Sequence, residues 1–186
     1  MLKLLRKWHS LSAIFLFLMD NTMIEELNFY FIEDDFIAAL RGIDSRVQHN
    51  YGGTRPYLGI LLTVQGLKYF APLSSYKPKQ DKLNNITVFK MHERGNPENK
   101  LGVIHLNNMF PVPEDKLIPV EIDLSSPYGI LLNNQYEYIL TKKELLQKQA
   151  QRLYSIVNRQ RIKEEVTSFT KVCCDFKLLE NFIKQV

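Results

Sequence analysis

The sequence has few of the residues that build metal centres, disulfide frameworks or nucleotide-binding loops. Cysteine occurs only twice among 186 residues, as the adjacent pair Cys173 and Cys174. A bridge between neighbouring cysteines is strained, and no CxxC or His/Cys spacing for zinc is present, so we expect two reduced thiols. The chain also lacks the P-loop, GxGxxG, HExxH and GxSxG motifs. These absences argue against a disulfide-stapled scaffold and against the common nucleotide-binding and hydrolase classes.

Histidine is equally sparse, and its spacing does not suggest metal binding. The four histidines, His9, His49, His92 and His105, form no HxH or HxxxH pair. His105 lies within an apolar run, which favours a structural role, whereas His92 lies at the exit of a predicted strand and is more open. The sequence therefore predicts no metal site and no cofactor.

What the chain does have is a large apolar fraction and a mildly basic character. Apolar residues make up 45% and aromatic residues 11%, with a net charge of +4 and an isoelectric point near 9.0. A chain of this size and composition can bury a core of its own. The positive charge is concentrated, because Lys142 to Lys163 contains seven basic residues and a single acidic one, Glu144.

The N-terminal residues resemble the start of a signal peptide without completing it. Lys3, Arg6 and Lys7 precede the apolar run Leu11–Met19, which is too short to span a membrane as a helix. No small-x-small cleavage site follows the run. We therefore predict that residues 1–22 are an extension or a misassigned start, that residues 23–186 form one domain, and that the protein is cytoplasmic. A secreted or membrane-tethered protein remains the alternative.

The first two-thirds of the chain predicts antiparallel β-structure. The β-favouring runs end at turn residues, and Gln65-Gly66 joins two of them into a hairpin. Dense turn signals run from His92 to Lys100, and three prolines keep residues 110–119 extended. The predicted strands are Leu27–Ile32, Tyr57–Val64, Leu67–Leu73, Ile86–Met91, Leu101–Leu106 and Val120–Leu124.

Helical signals are concentrated in the last third. Ser126-Pro127 is typical of a helix start, and Thr141 with Glu144 fits a capping box for a second helix. That helix carries an apolar stripe of Leu146, Ala150, Leu153 and Val157. A last helix is predicted at Phe176–Ile183, and one early helix follows Glu33-Asp34-Asp35 and stops at Gly42. The pattern predicts an α+β fold.

Hydroxyl and ammonium groups are crowded just after the predicted hairpin. Ser74, Ser75, Tyr76, Lys77 and Lys79 follow the second strand. Such groups can hold a phosphodiester and cleave RNA without a metal, because a ribose 2′-hydroxyl attacks its own phosphate when protons and charge are managed. The alternative from spacing alone is a plain solvated loop.

The basic helix also has two interpretations. Its cations either form a solvated face or bind phosphates, with Tyr154 and Asn158 adding stacking and base-edge contacts. The candidate RNA-binding residues on this helix are Lys148, Arg152, Arg159 and Arg161.

Three blocks of the sequence resemble one protein family. These blocks are LGILLTVQGLKYFAPLSS, FKMHERGNPENKLGVIHLNNMFPV and CDFKLLENFI. In order and spacing they are similar to the ToxN/AbiQ family of bacterial endoribonucleases, the toxins of type III toxin–antitoxin systems. The resemblance runs from about Leu27 to the C-terminus.

The resemblance implies a compact, highly twisted antiparallel sheet flanked by helices, similar to the Kid/MazF-type toxins. It implies metal-independent cleavage of cellular or phage RNA to a 2′,3′-cyclic phosphate and a 5′-hydroxyl. It also implies inhibition by a repeated RNA pseudoknot in a protein–RNA hetero-oligomer, and a role in phage defence by abortive infection.

Carried over residue by residue, the resemblance implies a catalytic set of Tyr51, Ser74, Ser75 and Lys77. Ser74 stands where relatives have threonine, so the hydroxyl is retained. Arg55 stands where relatives have lysine, and because arginine does not act as a general base, we interpret it as a phosphate clamp. Lys79 and His92 complete the expected RNA-binding residues, with those on the basic helix. A non-catalytic RNA-binding protein using the same surface is the alternative.

Overall fold

One antiparallel sheet organises the protein, for which a computed structural model describes residues 27–185. The strand order is β5-β6-β4-β2-β1-β8, with β3 and β7 also paired to β4. The strands are β1 Asn28–Ile32, β2 Tyr57–Gly59, β3 Thr63–Val64, β4 Leu67–Ser75, β5 Phe89–Glu93, β6 Asn96–Ile104, β7 Phe110–Pro111 and β8 Leu117–Pro119. The predicted extension, residues 1–22, lies outside the described residues.

Helices flank this sheet and dominate the C-terminal part, which confirms the predicted α+β class. They are α1 Asp34–Ile43, α2 Pro127–Thr141, α3 Lys143–Ile162, α4 Ser168–Val172 and α5 Phe176–Ile183. Three short 3-10 helices occupy Pro78–Lys82, Leu106–Asn108 and Glu114–Lys116.

The core forms where the sheet meets the helices. The apolar stripe of α3 is fully buried, as the sequence predicts. The largest completely buried rings come from the strands and from α5: Phe29, Tyr57, Tyr69, Phe70, Phe110 and Phe176. Each such side chain contributes roughly 1.5–3 kcal/mol on burial, so this continuous cluster is the main source of stability.

Several strands begin or end at residues other than those predicted from the sequence, because strand ends depend on the neighbouring strands with which they pair. The predicted strand Tyr57–Val64 is interrupted after Gly59, and its hairpin partner β4 continues to Ser75 because Ser74 and Ser75 pair with Val103 and Gly102. The turn predicted within His92–Lys100 is present but shorter than its turn signals indicate, since only Arg94 and Gly95 separate β5 from β6. The predicted strand Val120–Leu124 is also wrong, because the Asp123 carboxylate accepts two hydrogen bonds from Ser125 and turns the chain.

Helix starts follow the predictions in the first helix of the C-terminal part and depart from them in the second. The Ser126 hydroxyl caps α2 by accepting from the Gly129 N–H at 3.0 Å, as predicted. The capping box at Thr141 is wrong, because Thr141 ends α2 and its hydroxyl donates to the Tyr138 carbonyl at 2.7 Å. The predicted stop of α1 at Gly42 is too early, since the helix continues through Ile43.

A buried carboxylate joins α5 to the sheet and to α3. Glu180, only 1% exposed, accepts hydrogen bonds from the Tyr69 hydroxyl at 2.7 Å and the Tyr154 hydroxyl at 2.5 Å. Its second oxygen accepts from Lys177 Nζ at 2.7 Å. Burial alone would raise the pKa of Glu180, but these three hydrogen bonds hold it below its ordinary value. We call these four residues the Glu180 cluster.

A glycine allows β6 to pass unusually close to the end of β4. Gly102 adopts a φ of 140°, and a Cβ atom placed on it would lie 2.1 Å from the Ser74 carbonyl oxygen. Such a distance is far below van der Waals contact, so any side chain at this position would push the two strands apart. The strand end that carries Ser74 and Ser75 is thus set by this close approach.

Candidate active site

A surface cleft of about 260 Å³ brings together the residues that the sequence singles out as catalytic. Four parts of the chain line it. They are the loop before β2, the end of β4, Lys77 immediately before the 3-10 helix Pro78–Lys82, and α2. Its lining residues are Tyr51, Thr54, Arg55, Pro56, Leu73, Ser74, Ser75, Lys77, Tyr128 and Gln135. No carboxylate occurs among these ten residues, so the cleft is suited to an anionic ligand.

The hydroxyl and ammonium groups leave the sheet in a fixed geometry. The Gln80 side chain is buried, and its Nε2 donates to the Ser75 carbonyl at 3.1 Å. Its Oε1 accepts from the Lys77 backbone N–H at 3.0 Å. One amide therefore holds the chain on both sides of Tyr76, so the solvated-loop interpretation does not describe this segment.

Tyr51 and Arg55 form the opposite wall of the cleft. The Tyr51 ring is 68% exposed, and the guanidinium carbon of Arg55 lies 4.9 Å from its centroid, which is a cation–π contact. Arg55 is itself buried, with its Nη1 donating to Gln48 Oε1, while its Nε has no hydrogen-bond partner among residues 27–185. Arg55 therefore places a buried positive charge at the cleft, which favours binding of an anion there.

His105 supports the wall of the cleft from behind. Its Nε2 lies 2.9 Å from the Ser74 hydroxyl oxygen. Burial, aided by the positive charges of Arg55 and Lys79, lowers the pKa of His105 to about 4. The ring is therefore neutral near pH 7, and the predicted location of His105 within a strand is wrong by one residue, because β6 ends at Ile104.

Two residues of α2 enter the cleft without having been singled out from the sequence. Tyr128 is half-exposed, and Gln135 is buried with its Nε2 donating to the Leu101 carbonyl at 2.9 Å. Their spacing of seven residues places them on one helix face, and helical periodicity in the sequence predicts this. Periodicity does not predict that this face packs against the end of β4.

The other predicted RNA-binding residues lie outside the cleft. Lys79 is exposed on the neighbouring 3-10 helix. His92 lines a separate cavity of about 140 Å³, where its Nε2 is 3.1 Å from the Tyr138 hydroxyl. Lys148, Arg152 and Arg159 are exposed on α3. Their contribution to RNA binding stays a prediction.

Arg161 differs from its neighbours on α3 because it is used inside the protein. Its Nη2 donates to the Thr170 and Cys173 carbonyls at 3.1 and 3.0 Å, and its Nη1 lies 3.4 Å from Asp175 Oδ2. Tyr154 and Asn158 are buried, so the expectation that they offer surface stacking and base contacts is wrong.

Across residues 27–185, no three His, Cys, Asp or Glu side chains gather as a metal site would require. In the same range no helix has both the length and the apolar character needed to cross a bilayer.

Comparison with known families gives a match over most of the chain. The family described as toxin ToxN of type III toxin–antitoxin systems matches residues 28–184. The chain is 35% identical over 161 residues to the endoribonuclease AbiQ of Lactococcus lactis subsp. lactis, covering 83% of this chain and 86% of that protein. It is 30% identical over 162 residues to the endoribonuclease ToxN of Pectobacterium atrosepticum, covering 83% and 90%.

Solved structures agree with the sequence comparison. The fold superposes with a TM-score of 0.76 and 33% identity on AbiQ, described as a lactococcal anti-phage endoribonuclease of a type III system, covering 86% of this chain and 96% of that one. A second solved structure is described as concerning bacterial type III toxin–antitoxin systems, with selective toxin inhibition by a non-coding RNA pseudoknot. The fold superposes on it with a TM-score of 0.74 and 29% identity, covering 87% of this chain and 98% of that one.

Proposed function

This chain belongs to the ToxN family of type III toxin–antitoxin toxins, whose curated relatives are endoribonucleases, and from that premise we propose how it cleaves RNA. The reaction is a transesterification without a metal ion. The ribose 2′-oxygen releases its proton to solvent water and bonds to the adjacent phosphorus, and the bond from phosphorus to the 5′-oxygen breaks as that oxygen gains a proton. The products are a 2′,3′-cyclic phosphate and a 5′-hydroxyl.

The observation that carries this proposal is the cleft that collects cations and hydroxyls without a carboxylate. A pentacovalent phosphorane has more negative charge than the starting diester, so fixed positive groups favour it over the ground state. Lys77 is exposed at the cleft and stabilises this charge, then protonates the leaving 5′-oxygen. Arg55, through its positive charge, and Tyr51 orient the scissile phosphate.

The two serines serve the attacking side of the reaction. Ser74 and Ser75 are successive residues of a paired strand, so their hydroxyls sit on a rigid element. In this proposal Ser74 or Ser75 helps to hold the 2′-hydroxyl and the phosphate in line, since successive side chains of a strand point to opposite faces. Correct orientation is worth several orders of magnitude in rate, and a strand end supplies it more reliably than a mobile loop.

We also propose that an RNA antitoxin folded as a pseudoknot inhibits the protein by direct binding. The support is the pseudoknot described for the related system, together with the excess of exposed cations on α3. A polyanion that covers these cations displaces counterions and gains affinity from their release.

The test is cleavage of RNA by purified protein in the presence of EDTA, with analysis of the product ends. We expect cleavage that survives the chelator and fragments ending in a cyclic phosphate. Loss of activity with EDTA, restored by a divalent ion, would overturn the metal-free scheme. Binding of RNA with no cleavage under any condition would favour the non-catalytic alternative.

A further inference from the structure

Among residues 27–185, His105 is the one histidine within hydrogen-bonding distance of a residue of the cleft, yet neither the proposed chemistry nor the family resemblance gives it a task. It follows β6 directly, and its backbone N–H donates to the Pro72 carbonyl at 3.0 Å, which fixes its position relative to β4. From there its ring reaches the Ser74 hydroxyl at 2.9 Å. The ring is not among the groups that line the cleft, so it acts on the cleft only through Ser74.

On its other side the ring faces a separate cavity. This cavity of about 290 Å³ lies behind the wall of the cleft, and its lining includes His105, Gln48, Asn107 and Asn108. Gln48 connects the cavity to the cleft as well, because it accepts from Arg55 and donates to Asn108 at 2.6 Å. Ser74 and Arg55 are thus both held from behind by polar groups that never touch the cleft.

The direction of the hydrogen bond between His105 and Ser74 decides what Ser74 offers to a substrate. If the hydroxyl donates to Nε2, its oxygen turns a free lone pair toward the cleft and can accept a hydrogen bond from a ribose 2′-hydroxyl. If Nε2–H donates instead, the hydroxyl hydrogen is free to point into the cleft. Among residues 27–185, His105 is the only group found within hydrogen-bonding distance of the Ser74 side chain.

We propose that His105 is a positioning residue, which accepts the Ser74 hydroxyl hydrogen and so presents a Ser74 lone pair to the attacking 2′-hydroxyl of the RNA. The inference rests on the proposed function, and it places three groups in one chain of hydrogen bonds. The 2′-hydroxyl donates to Ser74 Oγ, and the Ser74 hydroxyl donates to His105 Nε2. No proton is transferred to the histidine in this scheme.

The charges around the ring keep this arrangement in place near neutral pH. Arg55 and Lys79 are the cations that act on the ring, and Lys82 lines the cavity behind it. In acid the ring gains a proton, and Nε2–H then donates to one Ser74 lone pair while the hydroxyl hydrogen turns away from the ring. Ser74 is then a weaker acceptor for the 2′-hydroxyl. The cleavage rate therefore falls on the acid side of the pH profile, and we call this decline the acid limb. A bound phosphate offsets the charge of Arg55, so the ring gains its proton at a higher pH when substrate is bound. The acid limb should therefore lie at higher pH in kcat than in kcat/KM.

Two amide variants separate positioning from packing. The Oε1 of glutamine reaches the place of the imidazole Nε2, whereas asparagine ends near the place of Nδ1 and falls short of Ser74. We expect H105N to lower kcat by about 10- to 100-fold with KM little changed, because a small misplacement of a reacting group costs this much. H105Q should stay within about threefold of the wild type and should lose the acid limb of the pH profile.

Wild-type cleavage and the melting temperature of each variant are measured in the same experiment. The inference is overturned if H105N and H105Q are equally active, equally impaired, or altered mainly in KM while the wild type cleaves RNA. It is overturned too if H105Q keeps the wild-type acid limb. A wild-type protein that cleaves no RNA would instead overturn the proposed function on which the inference rests.

Discussion

Two polar clusters of this molecule contain similar side chains but differ in whether a carboxylate accepts their hydrogen bonds. The cleft contains tyrosine, arginine, lysine and serine with no carboxylate. The Glu180 cluster contains tyrosine and lysine around a carboxylate, and all three donors reach it within 2.7 Å. A closed, satisfied cluster stabilises the fold, whereas an open cluster of one charge sign has unused capacity for a ligand.

The sharpest way to test this difference is to remove one member of the open cluster. We expect K77A to lower the cleavage rate by about 1,000-fold, since a group that stabilises transition-state charge is lost. Binding of antitoxin RNA and the melting temperature should change little, because Lys77 is exposed. Single-turnover cleavage assays and thermal melting measure both.

K171A is the matched control, because Lys171 is an exposed lysine that lies outside the cleft and outside the cavity behind His105. Its cleavage rate should equal that of the wild type. A K77A protein that remains fully active would end the proposed roles in the cleft.

Removing the carboxylate of the closed cluster should give the reverse result. E180A leaves Lys177 and two buried tyrosine hydroxyls without their acceptor, and we expect the free energy of unfolding to fall by about 3 kcal/mol. The cleavage rate per folded molecule should be unchanged. Denaturant unfolding monitored by fluorescence measures the stability loss.

E144A is the control for charge alone, because Glu144 is a highly exposed carboxylate whose only ion pair in the described range is with Lys148 at 3.7 Å. Its effect on stability should stay below about 0.5 kcal/mol. Equal losses from E180A and E144A would contradict the contrast between the clusters.

Acid should destabilise the fold through His105, which connects the open cluster to the protein interior. The folded pKa of about 4 lies below the ordinary value of 6.5, so the unfolded chain binds the proton more readily. The contribution to stability is present above pH 6.5 and is lost as the pH falls toward 4, by about 3 kcal/mol. Urea unfolding of the wild type across this range measures it.

The same titration of H105Q isolates the histidine, because glutamine does not ionise. Its stability should fall less steeply over this pH window, leaving the slope that the carboxylates contribute. Parallel curves for the two proteins would show that another group carries the dependence.

The smallest expected effect concerns the exposed helix surface. R152A should weaken RNA binding by less than about 1 kcal/mol and reduce the slope of log affinity against log salt by about 0.7 to 0.9. R161A is the contrasting variant on the same helix, because its guanidinium is used by Thr170, Cys173 and Asp175. It should lower stability and leave the salt slope unchanged, which filter-binding titrations at several salt concentrations would reveal.

Local patterns predict much of the fold because the residues that decide it are close in sequence. The turn at Gln65-Gly66, the Ser126 cap and the buried stripe of α3 each depend on neighbours within one or two turns of chain. Thr141 shows the limit of this reasoning, since its hydroxyl has two competing backbone partners and the preceding helix takes it.

The candidate site divides in the same way. Ser74, Ser75 and Lys77 are visible in the sequence because they lie together at a strand end, and Tyr51 and Arg55 follow from the family resemblance. Their grouping with Tyr128, Gln135 and His105 depends on pairing between β4 and β6 and on the docking of α2, contacts across 27 or more residues. Local patterns contain no information about such contacts.

The close approach at Gly102 has a genetic consequence. A change in the first or second base of a glycine codon introduces a side chain or a stop, and at this position any side chain displaces the strand end that holds Ser74. Such changes would inactivate the proposed toxin without touching a catalytic group. Selection for cells that survive its unchecked expression should therefore recover mutations in this codon alongside those in the codons for Ser74 and Lys77.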